Sequence, residues 1–153
     1  MDNQELYRKL DKLIREACEK RGNIVSGMIK PRLLDCDCDS MSSVIAFPGQ
    51  EWEINPNLVI HGGIIATMMD TAMGITLIGF VESLTPTISL QVSYLRPCPA
   101  DGLIAVRSHI TMLGGSVIHA RAEMYDTREP DKIVATAEGS YRRFKDAKPF
   151  SWD

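Results

Sequence analysis

Residues 55–81, NPNLVIHGGIIATMMDTAMGITLIGFV, restrict the fold more than any other part of the chain. From Gly62 onward the run is apolar on nearly every side, and Asp70 is its one ionisable residue. A helix that is apolar all round has to be enclosed by other structure or by lipid. The run is nearly long enough to cross a bilayer, but a carboxylate at mid-membrane costs about 2.5–3.5 kcal/mol. No Lys or Arg anchors flank it either. It reads as the core helix of a soluble protein, with no membrane partner.

Beyond the helix the hydrophobic period falls from near 3.6 to 2. In PTISLQVSYLRP, Ile88, Leu90, Val92 and Tyr94 alternate with Thr87, Ser89, Gln91 and Ser93. In the next three segments Ile104, Val106, Ile110 and Met112 share a face, as do Ile118, Ala120, Ala122 and Met124, and then Ile133, Ala135, Ala137 and Tyr141. Short turns rich in Gly and Pro separate them, so consecutive strands are expected to be antiparallel neighbours. One apolar face per strand needs a cover on one side only, and the apolar helix supplies it. The expected class is α+β, an antiparallel sheet wrapped around one long helix.

Ahead of the core helix, Leu6, Leu10, Leu13, Ile14 and Ala17 mark one face of an amphipathic helix over residues 2–20, with Gly22 as its C-terminal cap. MIKPRLLDCDC and SSVIAF, within residues 28–47, read as two strands. No repeat or long linker divides the 153 residues. The expectation is a single domain over 1–153, with the helix of residues 1–25 packed on it.

Seventeen Lys and Arg against 20 Asp and Glu, a net charge of -3, argue against a nucleic-acid surface. The N-terminal MDNQELYRKLDKLIREACEK is too charged for a secretion signal. Cys18, Cys36, Cys38 and Cys98 lack metal-type spacing and read as free thiols of a reducing cytoplasm. No cofactor or metal is expected.

The chemistry concentrates at the start of the core helix. Gly62 and Gly63 suit a helix start that something approaches closely. The first helical N–H groups lack internal partners and sit at the positive end of the dipole, where an anion or oxyanion can bind. Asp70, seven residues past Gly63, returns to nearly the same side at about 100° per residue. A donor and a carboxylate on one face suit acyl transfer. Plainer readings are a tight entry turn at His61-Gly62-Gly63, and Asp70 as the N-cap of a second helix or as a carboxylate held by a structural Arg.

The run N-x5-HGG-x6-D-x2-MG (Asn55, His61, Gly62, Gly63, Asp70, Met73, Gly74), followed by TISLQVSYLRP and a late VATAEGSYRRF, resembles the hotdog-fold acyl-CoA thioesterases. It is most similar to their phenylacetic-acid-degradation-type branch, over residues from about 30 to 145 in the same order. The resemblance implies a sheet curled around one helix and an acyl-CoA substrate. It implies Asp70 as the catalytic carboxylate, acting as general base or as nucleophile through an anhydride. The N–H after the motif residue His61, that of Gly62, would polarise the thioester carbonyl. Asn55 would place water or the carbonyl across a dimer interface, and Thr87 would help position water. Some relatives carry Ser at the Thr87 position, and many carry a base where this chain has Gly115-Ser116. Arg142, Arg143 and Lys145, with Gly63, are therefore the candidates for the CoA moiety, and a merely solvated strand end is the alternative.

The resemblance also implies a homodimer or homotetramer. His109 and His119 read as structural. The His-before-Asp order, nine residues apart, differs from the Asp-before-His dyad of hotdog hydratases. The rival reading is a non-catalytic acyl-CoA-binding sensor or scaffold. Met68, Met69, Met73, Leu77 and the Trp52 region are candidates to shape an acyl pocket, or are simply core.

Overall fold

The protein is described by a computed structural model over residues 1–149. Helix α1 spans Asn3–Ala17, and its buried face is Leu6, Leu10, Ile14 and Ala17. The Asp2 carboxylate accepts from Glu5 N–H at 2.8 Å, an N-cap bond. The helix stops at Ala17, short of the expected residue 20, and tightens into a 3-10 turn over Glu19–Arg21. Gly22, the expected C-terminal cap, closes this 3-10 turn with a right-handed φ of -58°, whereas α1 itself is capped by Cys18. The glycine that matters is Gly27. A Cβ on it would lie 2.3 Å from Arg21 O and 2.6 Å from Cys18 O. Gly27 belongs to a short helix α2, Val25–Met28, whose last residue is where the first strand was expected to begin. Lys30, at φ 51°, and Pro31 then turn the chain into β1, Arg32–Asp37.

β2 (Ser42–Pro48) pairs with β1, and a turn leads to α3, Gly62–Val81. After it come β3 (Thr87–Tyr94), β4 (Leu103–Leu113), β5 (Val117–Asp126) and β6 (Ile133–Arg142). The sheet is antiparallel throughout the described residues, in the order β1-β2-β4-β5-β6-β3. The expectation that β3 and β4 are neighbours is wrong. β4 inserts beside β2, where Ile104, Val106 and Ile110 are buried, and β3 pairs with β6 at the far edge. β4 would be paired on both sides in either order, but only the observed one gives β2 a second ladder partner and joins the first two strands to the same sheet.

α3 buries Ile65, Met68, Met69, Ala72, Met73 and Leu77 against this sheet. The methionines and Leu77 have no solvent exposure, so they are core here. α1 closes the back of α3. A Cβ on Gly79 would meet Leu10 Cδ2 at 2.5 Å, so a side chain there would press Leu10 aside. The helix that could span a membrane by length and composition thus has half of its most apolar window buried, packed on the chain's own sheet and first helix.

Two interruptions change which side chains face α3. β4 shifts register between Ile110 and Met112, leaving Met112 largely exposed rather than in the core. β3 shifts between Thr87 and Ser89, with Ile88 as the extra residue. Ile133 departs from its expected face as well, packing with Ala46, Ala105 and Tyr125 in a small cluster apart from the main core. All four cysteines are free thiols. Burial pushes the Cys98 thiol up to about 12 and, with Asp35 next, the Cys36 thiol up to about 11, so neither forms a thiolate near neutrality.

Candidate active site

The entrance to α3 is fixed by backbone bonds from two distant loops. His61 N–H donates to Glu53 O at 2.8 Å, and Ile60 N–H to Cys98 O at 2.8 Å. His61 is the N-cap, and its Nδ1 accepts from Gly63 N–H at 2.9 Å. His61 O accepts from Ile64 N–H at 2.9 Å and Ile65 N–H at 3.1 Å. Of the first four helical donors, three are therefore engaged inside the chain. Gly62 N–H alone has no acceptor among the described residues. The cap leaves one donor open, at Gly62, and it also occupies the N–H of Gly63, a residue expected to touch CoA.

The Tyr94 hydroxyl from the end of β3 donates to Gly62 O at 2.8 Å. A Cβ on Gly62 would stand 3.3 Å from the Tyr94 ring. The absence of a side chain at Gly62 thus lets an aromatic ring pack over the helix end.

Asp70 lies within α3, half-buried, so it is not an N-cap, and no Arg holds it among the described residues. Its Oδ1 accepts from the Thr87 hydroxyl at 2.9 Å and the Tyr141 hydroxyl at 3.2 Å. Oδ2 has no partner among the described residues. Charge-assisted bonds of this kind are stronger than neutral ones and fix the carboxylate's orientation. Thr87 reaches Asp70 because of the Ile88 bulge. Strict alternation puts Thr87 on the same side as Ser89 and Gln91, away from the helix. The extra residue turns it inward opposite Tyr141, its cross-strand partner.

Tyr141 was not singled out by sequence reasoning as a site residue. It is 1% exposed, and a buried tyrosine hydroxyl requires an acceptor. The sequence places Tyr141 on the core face and Asp70 as the sole carboxylate of the core helix, so that rule could have joined them. Burial first, and then the Asp70 charge, push the Tyr141 phenol upward, so it stays a protonated donor.

The remaining expected residues fall elsewhere. Asn55 Oδ1 accepts from Asn57 N–H at 2.9 Å and Val59 N–H at 3.5 Å, closing the loop before the helix, and it makes no bond to Asp70. Lys145 leans over the β4–β5 turn, its Nζ 3.7 Å from where a Cβ on Gly115 would sit. Arg143 N–H donates to Ser116 O of the same turn at 2.9 Å, while the Arg142 guanidinium lies over the Phe144 ring at 5.8 Å. A base therefore does reach the Gly115 turn, delivered from the turn that follows β6. His119 Nδ1 meets the Ser140 hydroxyl at 3.0 Å in a cross-strand pair.

The model of the family described as the thioesterase superfamily matches residues 57–133, half of the chain. This chain belongs to the thioesterase superfamily. A Halobacterium salinarum protein with an esterase name is 39% identical over 99 residues, 57% of this chain and 62% of that protein. The medium/long-chain acyl-CoA thioesterase YigI of Escherichia coli is 30% identical over 98 residues, 54% of this chain and 61% of that protein. The matches thus span about three fifths of the length of these curated relatives. In three dimensions the E. coli PaaI protein from the phenylacetic acid degradation operon superposes with a TM-score of 0.76 at 16% identity, covering 94% of this chain and 96% of that one. This superfamily member has the hotdog fold, the α+β arrangement expected from its periodicity.

Proposed function

We propose that this thioesterase-superfamily protein hydrolyses acyl-CoA thioesters to the free acid and CoA, with Asp70 as the catalytic carboxylate. The observation that carries the reading is the state of Asp70. One oxygen is fixed by Thr87 and Tyr141, and the other has no partner among the described residues, in a half-buried position on the core helix. A carboxylate held this way serves as general base toward water, or as nucleophile through an anhydride. In the base route, Oδ2 takes a proton from water as the water oxygen attacks the thioester carbon. The oxyanion that forms is stabilised by Gly62 N–H, and its collapse breaks the C–S bond and releases the CoA thiolate, which regains a proton. The acyl names of the relatives support this substrate class.

Gly62 and Asp70 of one chain cannot serve the same carbonyl. Eight residues of helix separate them by about 12 Å along the axis. The proposal therefore includes a homodimer, alone or within a tetramer, in which Gly62 of one copy faces Asp70 of another. Asn55, His61 and Gly63 arrive with Gly62. Lys145, with Arg143 and Arg142 beside it, is proposed to meet the CoA phosphates, and no resident cofactor is needed. A cytoplasmic location fits this substrate.

The test is a thiol-release assay on an acyl-CoA panel of short, long and aromatic acyl groups. Wild type should turn over at least one ester, and Asp70→Asn should lower kcat by about 10²–10⁴-fold with its fold intact. Binding of acyl-CoA without turnover by wild type would overturn the proposal in favour of a sensor or scaffold.

A further inference from the structure

We infer that Tyr141, seated on Gly139, is a positioning residue that decides which oxygen of Asp70 is presented to the reacting centre. The inference rests on the thioesterase reading above. Three separate features of the fold converge on it.

The first is the pair of donors. Thr87 and Tyr141 both donate to Oδ1, so rotation of the carboxylate that exchanged its oxygens would break and remake two hydrogen bonds. The second is the register. Thr87 and Tyr141 face each other across β3 and β6 only because Ile88 is bulged out of the ladder. Thr87 stands on an edge strand and is exposed, whereas Tyr141 comes from a strand paired on both sides and is buried. Tyr141 is the rigid member of the pair.

The third feature is the seat. Gly139 lies two residues before Tyr141 on the same face of β6, and the tyrosine ring folds back across it. A Cβ on Gly139 would stand 2.7 Å from Tyr141 Cε2, 3.0 Å from Cζ and 2.9 Å from the hydroxyl oxygen. No side chain fits there while the hydroxyl remains where it is. The atoms in the way belong to the end of a side chain, so an added methyl would swing the ring rather than break the strand. Gly139 thereby acts on Asp70 through Tyr141 without touching it.

The experiment compares Tyr141→Phe, Gly139→Ala and the double variant, with kcat, KM and thermal midpoint measured on an ester that wild type hydrolyses. Tyr141→Phe should lower kcat by roughly 10- to 100-fold, the scale of one hydrogen bond to a charged group. KM should stay within about twofold, because the bond orients the reacting carboxylate rather than the bound ester. Gly139→Ala should lower kcat in the same sense, and adding it to Tyr141→Phe should cost no further activity, since the hydroxyl it displaces is already gone. A Tyr141→Phe enzyme with wild-type kcat would overturn the inference, as would losses that simply multiply in the double variant. A raised KM with kcat preserved would overturn it too, moving Tyr141 to substrate binding. Wild type that hydrolyses no ester brings down the thioesterase reading itself. Wild type that is active, with Asp70→Asn inactive and Tyr141→Phe unaffected, removes only this inference.

Discussion

The two edges of the sheet are finished in opposite ways. At β1 the chain covers itself. α1 packs over the strand, Asn3 Oδ1 accepts from Cys38 N–H at 2.8 Å, and Asp35 Oδ1 accepts from Cys36 N–H at 2.9 Å. At β3 no strand pairs with the outer side among the described residues, and Ile88 is 57% and Tyr94 53% exposed. An open edge with exposed apolar side chains invites pairing with another chain. This open edge also carries Thr87 and Tyr94, which touch Asp70 and Gly62. The covered edge is closed by the chain itself, and the open edge carries residues of the proposed site and faces the proposed second copy.

That contrast breaks if a change on the covered side alters turnover. Leu10 is fully buried between α1 and the Gly79 backbone, so Leu10→Ala should cost about 2–5 kcal/mol in urea unfolding with kcat unchanged below the transition. On the open side the deletion with the clearest meaning is Gly62→Pro. Gly62 is the first helical residue, and His61 already has φ -60° and ψ 137°, a conformation that accepts a following proline. The substitution removes the one open N–H, and kcat should fall by about 10²–10³-fold with little change in melting temperature. Gly62→Ala, which retains the N–H but crowds Tyr94, separates the lost donor from steric effects.

Mixing two inactive variants sharpens the contrast. Asp70→Asn and Gly62→Pro chains, unfolded together and refolded, should regain about a quarter of wild-type activity. Half the dimers of a two-fold assembly are then mixed, and each of these has one intact site. No recovery from a verified mixed dimer would remove the shared-site proposal. A smaller effect is expected of Gly79→Ala, which overpacks Leu10 and should cost about 1–3 kcal/mol of stability without changing kcat.

The smallest expected effect lies at neither edge. Hydrogen bonds from Arg128 hold the Asp126 carboxyl below its ordinary 3.8 despite burial. A depressed carboxyl stabilises the fold above its unfolded value, and that contribution is lost as pH falls through the folded one. Arg128→Ala should therefore lower the melting temperature near neutrality, and the gap from wild type should close as the pH is taken below the carboxylate range.

The elements were largely legible because their signals are local. The apolar run from Gly62 and the period-2 strands show in neighbouring residues, and α3 and β3–β6 follow from them. Asp70 and the Gly62 helix start were legible as candidates because both lie in one local run, but the shared face read from helix spacing leaves them about 12 Å apart along the axis, too far for one carbonyl. Thr87 was legible only through resemblance, since the alternation of its own strand points it away from Asp70. Even the element ends at Ala17 and Arg32 depended on how Gly27 packs against Cys18 and Arg21.

By itself, then, the sequence determined the core helix, the antiparallel strands around it and the single carboxylate in its apolar length. Tertiary structure alone decided the strand order that leaves β3 at an open edge, the bulge that turns Thr87 inward and the meeting of Tyr141 with Asp70. Tyr141 lies 71 residues from Asp70 along the chain. Short-range pattern records which face a residue prefers. Which residues meet on that face depends on pairing, register and the room left by a glycine such as Gly139, all settled when distant strands close on one another.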